Sequence, residues 1–200
     1  MNDLCIKLKS DLEYYFSMPF DVSSSLVDGE EHYTCSPSND GAMFFDVNVY
    51  IHNHIRLIIE IYPQKHGGYI LNEMASAEED KRKLFEMCKE MLEDKGAKIK
   101  FLVNGRNAFS QEWPNIWRSF MCKIVLVPIP DNNSSDKDLS IISEWAKYSF
   151  DLIFSLLTIT DIDNKNDNIT SIQTEGTPTE IRSIRYERNP INRQLCLHRK

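Results

Sequence analysis

The stretch "MFFDVNVYIHNHIRLIIEIY", Met43–Tyr62, decides the fold. In its first half Phe45, Val47, Val49 and Ile51 alternate with Asp46 and Asn48. Successive strand residues point to opposite faces, so the alternation predicts a strand with one apolar and one polar face. In its second half Ile55, Leu57, Ile59 and Ile61 share a face opposite Arg56 and Glu60. The connection His52-Asn53-His54 is short enough for an antiparallel hairpin, and Asn53 tolerates the positive φ that such a turn demands. Two strands with one polar face each suit a sheet that is covered on one side only.

Outward from this hairpin the chain is easily divided. Residues 2–17 read as a helix with Leu4, Leu8, Leu12 and Tyr15 on one stripe, ended by Met18-Pro19. Short strands follow at Phe20–Leu26 and Glu31–Cys35, with Asp28-Gly29 as the turn. After the hairpin, His66-Gly67-Gly68 reads as a loop, and Ser76 with Glu79 has the spacing of a capping box. Leu84, Met87, Cys88, Met91 and Leu92 follow one helix face, and Gly96 ends that helix. Ala97–Val103 reads as a strand closed by Asn104-Gly105, and Met121–Val127 as another after a turn at Pro114. Residues 139–158 form an apolar helix carrying Ile142, Trp145, Ala146, Ser149, Ile153 and Leu157. This order predicts an α+β domain over residues 1–160, with helices packed on one face of a mostly antiparallel sheet. A polar linker over 161–179 follows, and then a strand-helix appendage over 180–200.

Composition narrows the function. With 42% hydrophobic and 26% charged residues, the 200-residue chain can bury a core. No apolar run approaches the roughly 18 residues that span a bilayer. The N-terminus lacks the apolar segment of a signal peptide, which predicts a cytoplasmic protein with no membrane partner. Five cysteines are scattered without a CxxC pair, so free buried thiols are expected and no disulfide framework. Charge is uneven. Residues 175–200 hold six Lys/Arg against three Glu, whereas the first 174 hold 17 basic and 27 acidic residues. The acidic body lacks the surplus cations that a grip on phosphate needs, which places any nucleic-acid role in the tail or beyond it.

Several residues invite chemistry and are better read as structure. His52 and His54 could share a face and grip a metal, but no third ligand lies nearby, so an exposed hairpin tip is the better reading. Asp46 and Glu60 lie outward on paired strands in the manner of a PD-(D/E)xK nuclease. The lysine of that motif is replaced by Tyr62, and a polar sheet face accounts for both acids. "HGGY", His66 to Tyr69, lacks the further glycines and lysine of a phosphate loop, and reads as a turn into a helix. Trp113 and Trp117 could stack a base, or anchor a loop in the core. Cys88 sits in an apolar helix stripe and reads as packing.

The tail, "EGTPTEIRSIRYERNPINRQLCLHRK", is different. Glu175-Gly176, the run Tyr186-Glu187-Arg188-Asn189-Pro190, and Arg193 with Cys196 resemble the segment upstream of the zinc-containing HNH domain of bacterial restriction and defence endonucleases. The resemblance covers about 26 of the 200 residues. It implies that this chain is the N-terminal specificity or regulatory domain of such an enzyme, ending ahead of the zinc knuckle and the catalytic histidines. A divalent metal, a structural zinc and contact with DNA would then belong to the parent enzyme. No catalytic, cofactor-binding or metal residue is assigned within this chain, and His198 is not promoted to a general base. Arg185, Arg188, Arg193, Arg199 and Lys200 could contact DNA, or pair with Glu180 and Glu187. Asn189-Pro190 has the form of a helix start. The alternative reading is a homo-oligomerisation or protein-interaction module with no nucleic-acid role. A second copy of the chain, or a protein or small-ligand trigger, would be the partner. An enzyme in its own right is the third reading.

Overall fold

A computed structural model describes residues 3–38, 45–65, 67–108, 113–129 and 135–157. In chain order its elements are α1 (Asp3–Phe16), β1 (Phe20–Val27), β2 (Glu30–Pro37), β3 (Phe45–His52), β4 (Arg56–Pro63), α2 (Gly68–Ala75), α3 (Glu79–Asp94), β5 (Ala97–Val103), β6 (Arg106–Asn107), β7 (Phe120–Leu126) and α4 (Ser135–Phe154). The strands make one seven-stranded sheet in the order β1-β2-β3-β4-β7-β5-β6, antiparallel at every described pairing. The fold is α+β, as the alternation of β3 and β4 predicts.

Register decides which side chains share a face, because directly opposed residues point the same way. Phe20 opposes Pro37, Cys35 opposes Val47, Val47 opposes Ile61, Ile61 opposes Cys122, and Cys122 opposes Phe101. These residues and Phe45 therefore line one face, and all of them are buried. Three helices cover it. Phe16 of α1 lies 5.7 Å from Phe20, Phe150 of α4 lies 5.6 Å from Phe45, and Phe85 of α3 lies 5.0 Å from Phe101, all between ring centroids. Phe150 also meets Phe16, Phe20 and Phe154, so five rings from two helices and two strands form one cluster. Edge-to-face and tilted contacts of this kind add to the burial energy of each ring.

Local signals explain most element ends. Asp28 and Gly29 both take positive φ between β1 and β2, as do Asn104 and Gly105 between β5 and β6. Gly96 follows α3 at φ +92, the left-handed position that closes a helix and favours glycine. Ser76 is a correction. It does not open α3, whose N-cap is Glu78 without a side-chain bond. It closes α2 instead, its hydroxyl donating to the Glu73 carbonyl at 3.0 Å. The buried stripe of α3 is Phe85, Cys88 and Leu92, with Met87 exposed, so the apolar face is rotated from the expected one. In α1 the stripe is Cys5, Leu8, Leu12 and Phe16, and Tyr15 flanks it. Helix α4 starts earlier than expected and ends at Phe154. Leu156 N–H then donates to Ile153 and Leu157 N–H to Phe154, tightening the last turn. The cysteines at 5, 35, 88 and 122 are buried and free.

One buried group breaks the apolar pattern. Asp151 on α4 is only 4% exposed. Tyr15 donates to its Oδ2 at 3.0 Å, and its Oδ1 has no partner among the described residues. Burial pushes the carboxyl up to about 7, against the lowering pull of the Tyr15 hydroxyl. The fold therefore holds a proton that the unfolded chain releases between the ordinary value of 3.8 and about 7. Stability falls as pH rises through that window, and the loss is complete above it.

Two predictions follow from this core. Replacing Phe150 with Ala should cost about 3–5 kcal/mol, read as a lower denaturation midpoint; a cost near that of a surface substitution would mean the ring cluster is misplaced. Asp151→Asn should flatten the decline in melting temperature between pH 5 and pH 8, with a gain on the order of 2–4 kcal/mol on the alkaline side. Parallel wild-type and variant profiles would show that Asp151 ionises normally.

Candidate functional site

The same register that hides the apolar face exposes the other one. Thr34 opposes Asn48, Asn48 opposes Glu60, Glu60 opposes Lys123 and Lys123 opposes Lys100, so one polar row crosses five strands. A second row runs beside it through His32, Tyr50, Ile58, Val125 and Lys98. Asp46 opposes Tyr62 in a third. These positions are the polar half of the two-residue period that places Val47, Val49, Ile59 and Ile61 in the core.

The side chains of this face are tied to one another. Lys123 Nζ donates to Glu60 Oε1 at 2.7 Å, with both side chains about one-third exposed. That bond raises the lysine above its usual range. Asp46 Oδ1 accepts from Ser36 Oγ at 2.5 Å and from Gln64 Nε2 at 2.7 Å. The His32 ring stacks on Tyr50 at 3.8 Å with 13° between planes. Asn48 Nδ2 lies 3.2 Å from His32 Nδ1, an arrangement that makes Nδ1 the acceptor and places the ring proton on Nε2. Asn48 Oδ1 is buried without a partner among the described residues. Burial raises the phenols of Tyr50 and Tyr62, with Asp46 and Glu60 adding to the rise at Tyr62. At the margin, Glu30 accepts from the Asn53 N–H and bonds His52 Nδ1, each at 2.9 Å. The Asn53 N–H and then His52 hold the Glu30 carboxyl below its usual range.

The residues singled out in the sequence are distributed as follows. Asn53 has the expected positive φ, and His54 shares it, so His52 and His54 do not point from one strand face. His52 is engaged by Glu30 and Asn53. Asp46 and Glu60 lie on the uncovered face of adjacent strands but not opposite each other, and hydrogen-bond donors occupy both. No three His, Cys, Asp or Glu among the described residues gather as a metal site. Trp117 is 3% exposed and Trp113 lies 5.6 Å from Phe85, so both anchor their loop, with the Arg82 guanidinium 5.2 Å over the Trp113 ring. The Cys88 thiol is pushed up to about 12 by burial, which makes it inert. His66 and the tail residues Glu175, Gly176, Arg185, Tyr186, Glu187, Arg188, Asn189, Pro190, Arg193, Cys196, Arg199 and Lys200 lie outside the described residues. The described helices include none long and apolar enough to cross a membrane.

Sequence reading missed His32, Tyr50 and Lys123. The first two were accessible in principle, since His32, Thr34 and Ser36 alternate with Tyr33 and Cys35, and Tyr50 continues the polar series of Asp46 and Asn48. Chemically the face offers an aromatic stack, amides and a lysine–glutamate pair across adjacent strands. That suits contact with another macromolecule better than enclosure of a small substrate. No family model matches the chain, and neither a curated protein nor a solved structure matches it significantly.

If the face serves contact and not cohesion, its charges should be cheap to remove. Glu60→Gln and Lys123→Met should each change unfolding free energy by less than about 1 kcal/mol, measured by chemical denaturation. Losses approaching that of a core ring would make the pair structural.

Proposed function

We propose that residues 3–157 are the recognition or regulatory domain of an HNH-type DNA endonuclease of restriction or anti-phage defence, with the uncovered sheet face as the recognition surface. The observation that carries the recognition role is the stacked His32–Tyr50 pair, flanked by Asn48, Glu60 and Lys123, on a face opposite the helical cover. The nuclease part rests on the resemblance of residues 175–200. Catalysis in this reading belongs to an HNH core downstream of the Arg193–Cys196 segment, and the divalent metal and structural zinc with it. Residues 1–200 contribute recognition and control, in the cytoplasm, and do not cut DNA themselves. The excess of acidic residues in the body favours a protein or small-ligand trigger over a direct grip on the phosphate backbone.

Incubating residues 1–200 with supercoiled plasmid and Mg²⁺ or Mn²⁺ should leave the plasmid intact. Nicking that survives purification to constant specific activity would place catalysis inside the chain. A coding sequence reading Gly-x-x-Cys-x-x-Cys directly after Lys200 is expected, and any continuation without a cysteine pair would remove the nuclease assignment.

A further inference from the structure

Strand β1 is an outer strand of the sheet. Its turn to β2 closes on the pair Val27 and Glu30 around Asp28-Gly29. A two-residue hairpin makes its closing pair hydrogen-bonded, and bonded pairs alternate from there. Asp21, Ser23, Ser25 and Val27 therefore direct their backbone groups toward β2, while Val22, Ser24 and Leu26 direct theirs outward. The Phe20 N–H has the outward phase too, donating to Glu13 Oε1 at 3.2 Å. Outer strands are usually blunted by lysine, proline or a bulge. Strand β1 has none of these. Its register with β2 runs unbroken through eight pairs, and Asp21 is its sole charge. Leu26 is 76% exposed and Val27 44%. The edge is also held in place, because Glu30 beside the turn is bonded to His52 and Asn53 at the next hairpin.

We propose that β1 pairs with β1 of a second copy of this chain, antiparallel about a two-fold axis at Ser24, joining two seven-stranded sheets into one. The strand is complementary to itself in this register. Only residues with outward backbone groups can bond across the new edge, and centring on Ser24 opposes Ser24 to its own copy and Val22 to Leu26 twice. On the other face Ser23 opposes Ser25, and Asp21 opposes Val27. The small serines occupy the axis, the exposed Leu26 is laid beside an apolar residue, and no like charges are opposed. The same register brings the copy's Asp28 alongside Phe20. There Lys9 of α1 lines a hollow with Asp21, Val22 and Ser23 and pairs at 3.7 Å with Glu13, the carboxylate that holds the Phe20 N–H. The pairing involves no residue of the tail and stands whether or not the nuclease reading does.

Light scattering and native mass measurement on residues 1–200, from low to high micromolar concentration, should show a monomer–dimer equilibrium. Ser24→Pro should weaken the dimer at least about tenfold, since it removes an outward N–H and not a bond to β2. In a Cys196→Ser background, Ser24→Cys should oxidise to a covalent dimer. Ser23→Cys should not, because its copies lie across a diagonal beyond disulfide reach. The cysteine pair keeps the test decisive if the proline variant fails to fold. A wild type that stays monomeric at all concentrations, or a dimer that survives Ser24→Pro and leaves Ser24→Cys unlinked, would overturn the proposal.

Discussion

Phe150 packs against Phe16, Phe20 and Phe45, and through this contact the helical layer selects one face of the sheet. The four rings come from α1, β1, β3 and α4, which are far apart in the chain. Once they meet, the two-residue period of the strands leaves no freedom. Val47, Val49, Ile59, Ile61, Cys122 and Ile124 go inward together, and Asn48, Tyr50, Glu60 and Lys123 go outward together. A slip of one residue in β4 or β7 would bury Glu60 or Lys123 and expose an isoleucine. The polar face is thus a consequence of the aromatic core.

Two places depart from this consistency, and they differ in kind. Asp151 sits inside the helical layer with one oxygen satisfied by Tyr15 and the other by nothing among the described residues. An apolar residue would pack there at lower cost, so the carboxyl lowers the stability of α4 against α1 at neutral pH. Strand β1 departs at the surface, as an unbulged outer strand whose sole charge is Asp21. Functional surfaces commonly break local rules of this sort.

Much of the fold was legible because it is written in short-range patterns. The alternation of residues 45–51 and 57–61, the turn pairs Asp28-Gly29 and Asn104-Gly105, and Gly96 after α3 each carry their own physical reason within a few residues. What escaped depends on distance along the chain. Lys123 meets Glu60 because β7 inserts beside β4, across 63 residues, and no local pattern announces that pairing. His32 meets Tyr50 through the β2–β3 register, likewise a tertiary fact. Ser76 misled because Ser followed by Glu three residues on also fits a serine that ends the preceding helix. Of the candidate site, the Asp46 and Glu60 positions were placed on the polar face from sequence. Their donors were not, since each acid is satisfied from a different strand or loop. The tail resemblance is of another nature, resting on residue identities over 175–200 and not on any pattern of burial.

The central claim is that helices cover one face of the sheet and that, among the described residues, none covers the other. Hydroxyl-radical footprinting of folded residues 1–200 tests it most directly. Tyr50, Tyr62 and Met121 should be oxidised readily, while Tyr33, Phe45, Phe101 and Phe150 stay protected until the chain unfolds. Oxidation of Phe45 and Phe150 at rates matching Tyr62, or protection of Tyr50 and Tyr62 alike in dilute monomer, would contradict the one-sided sheet.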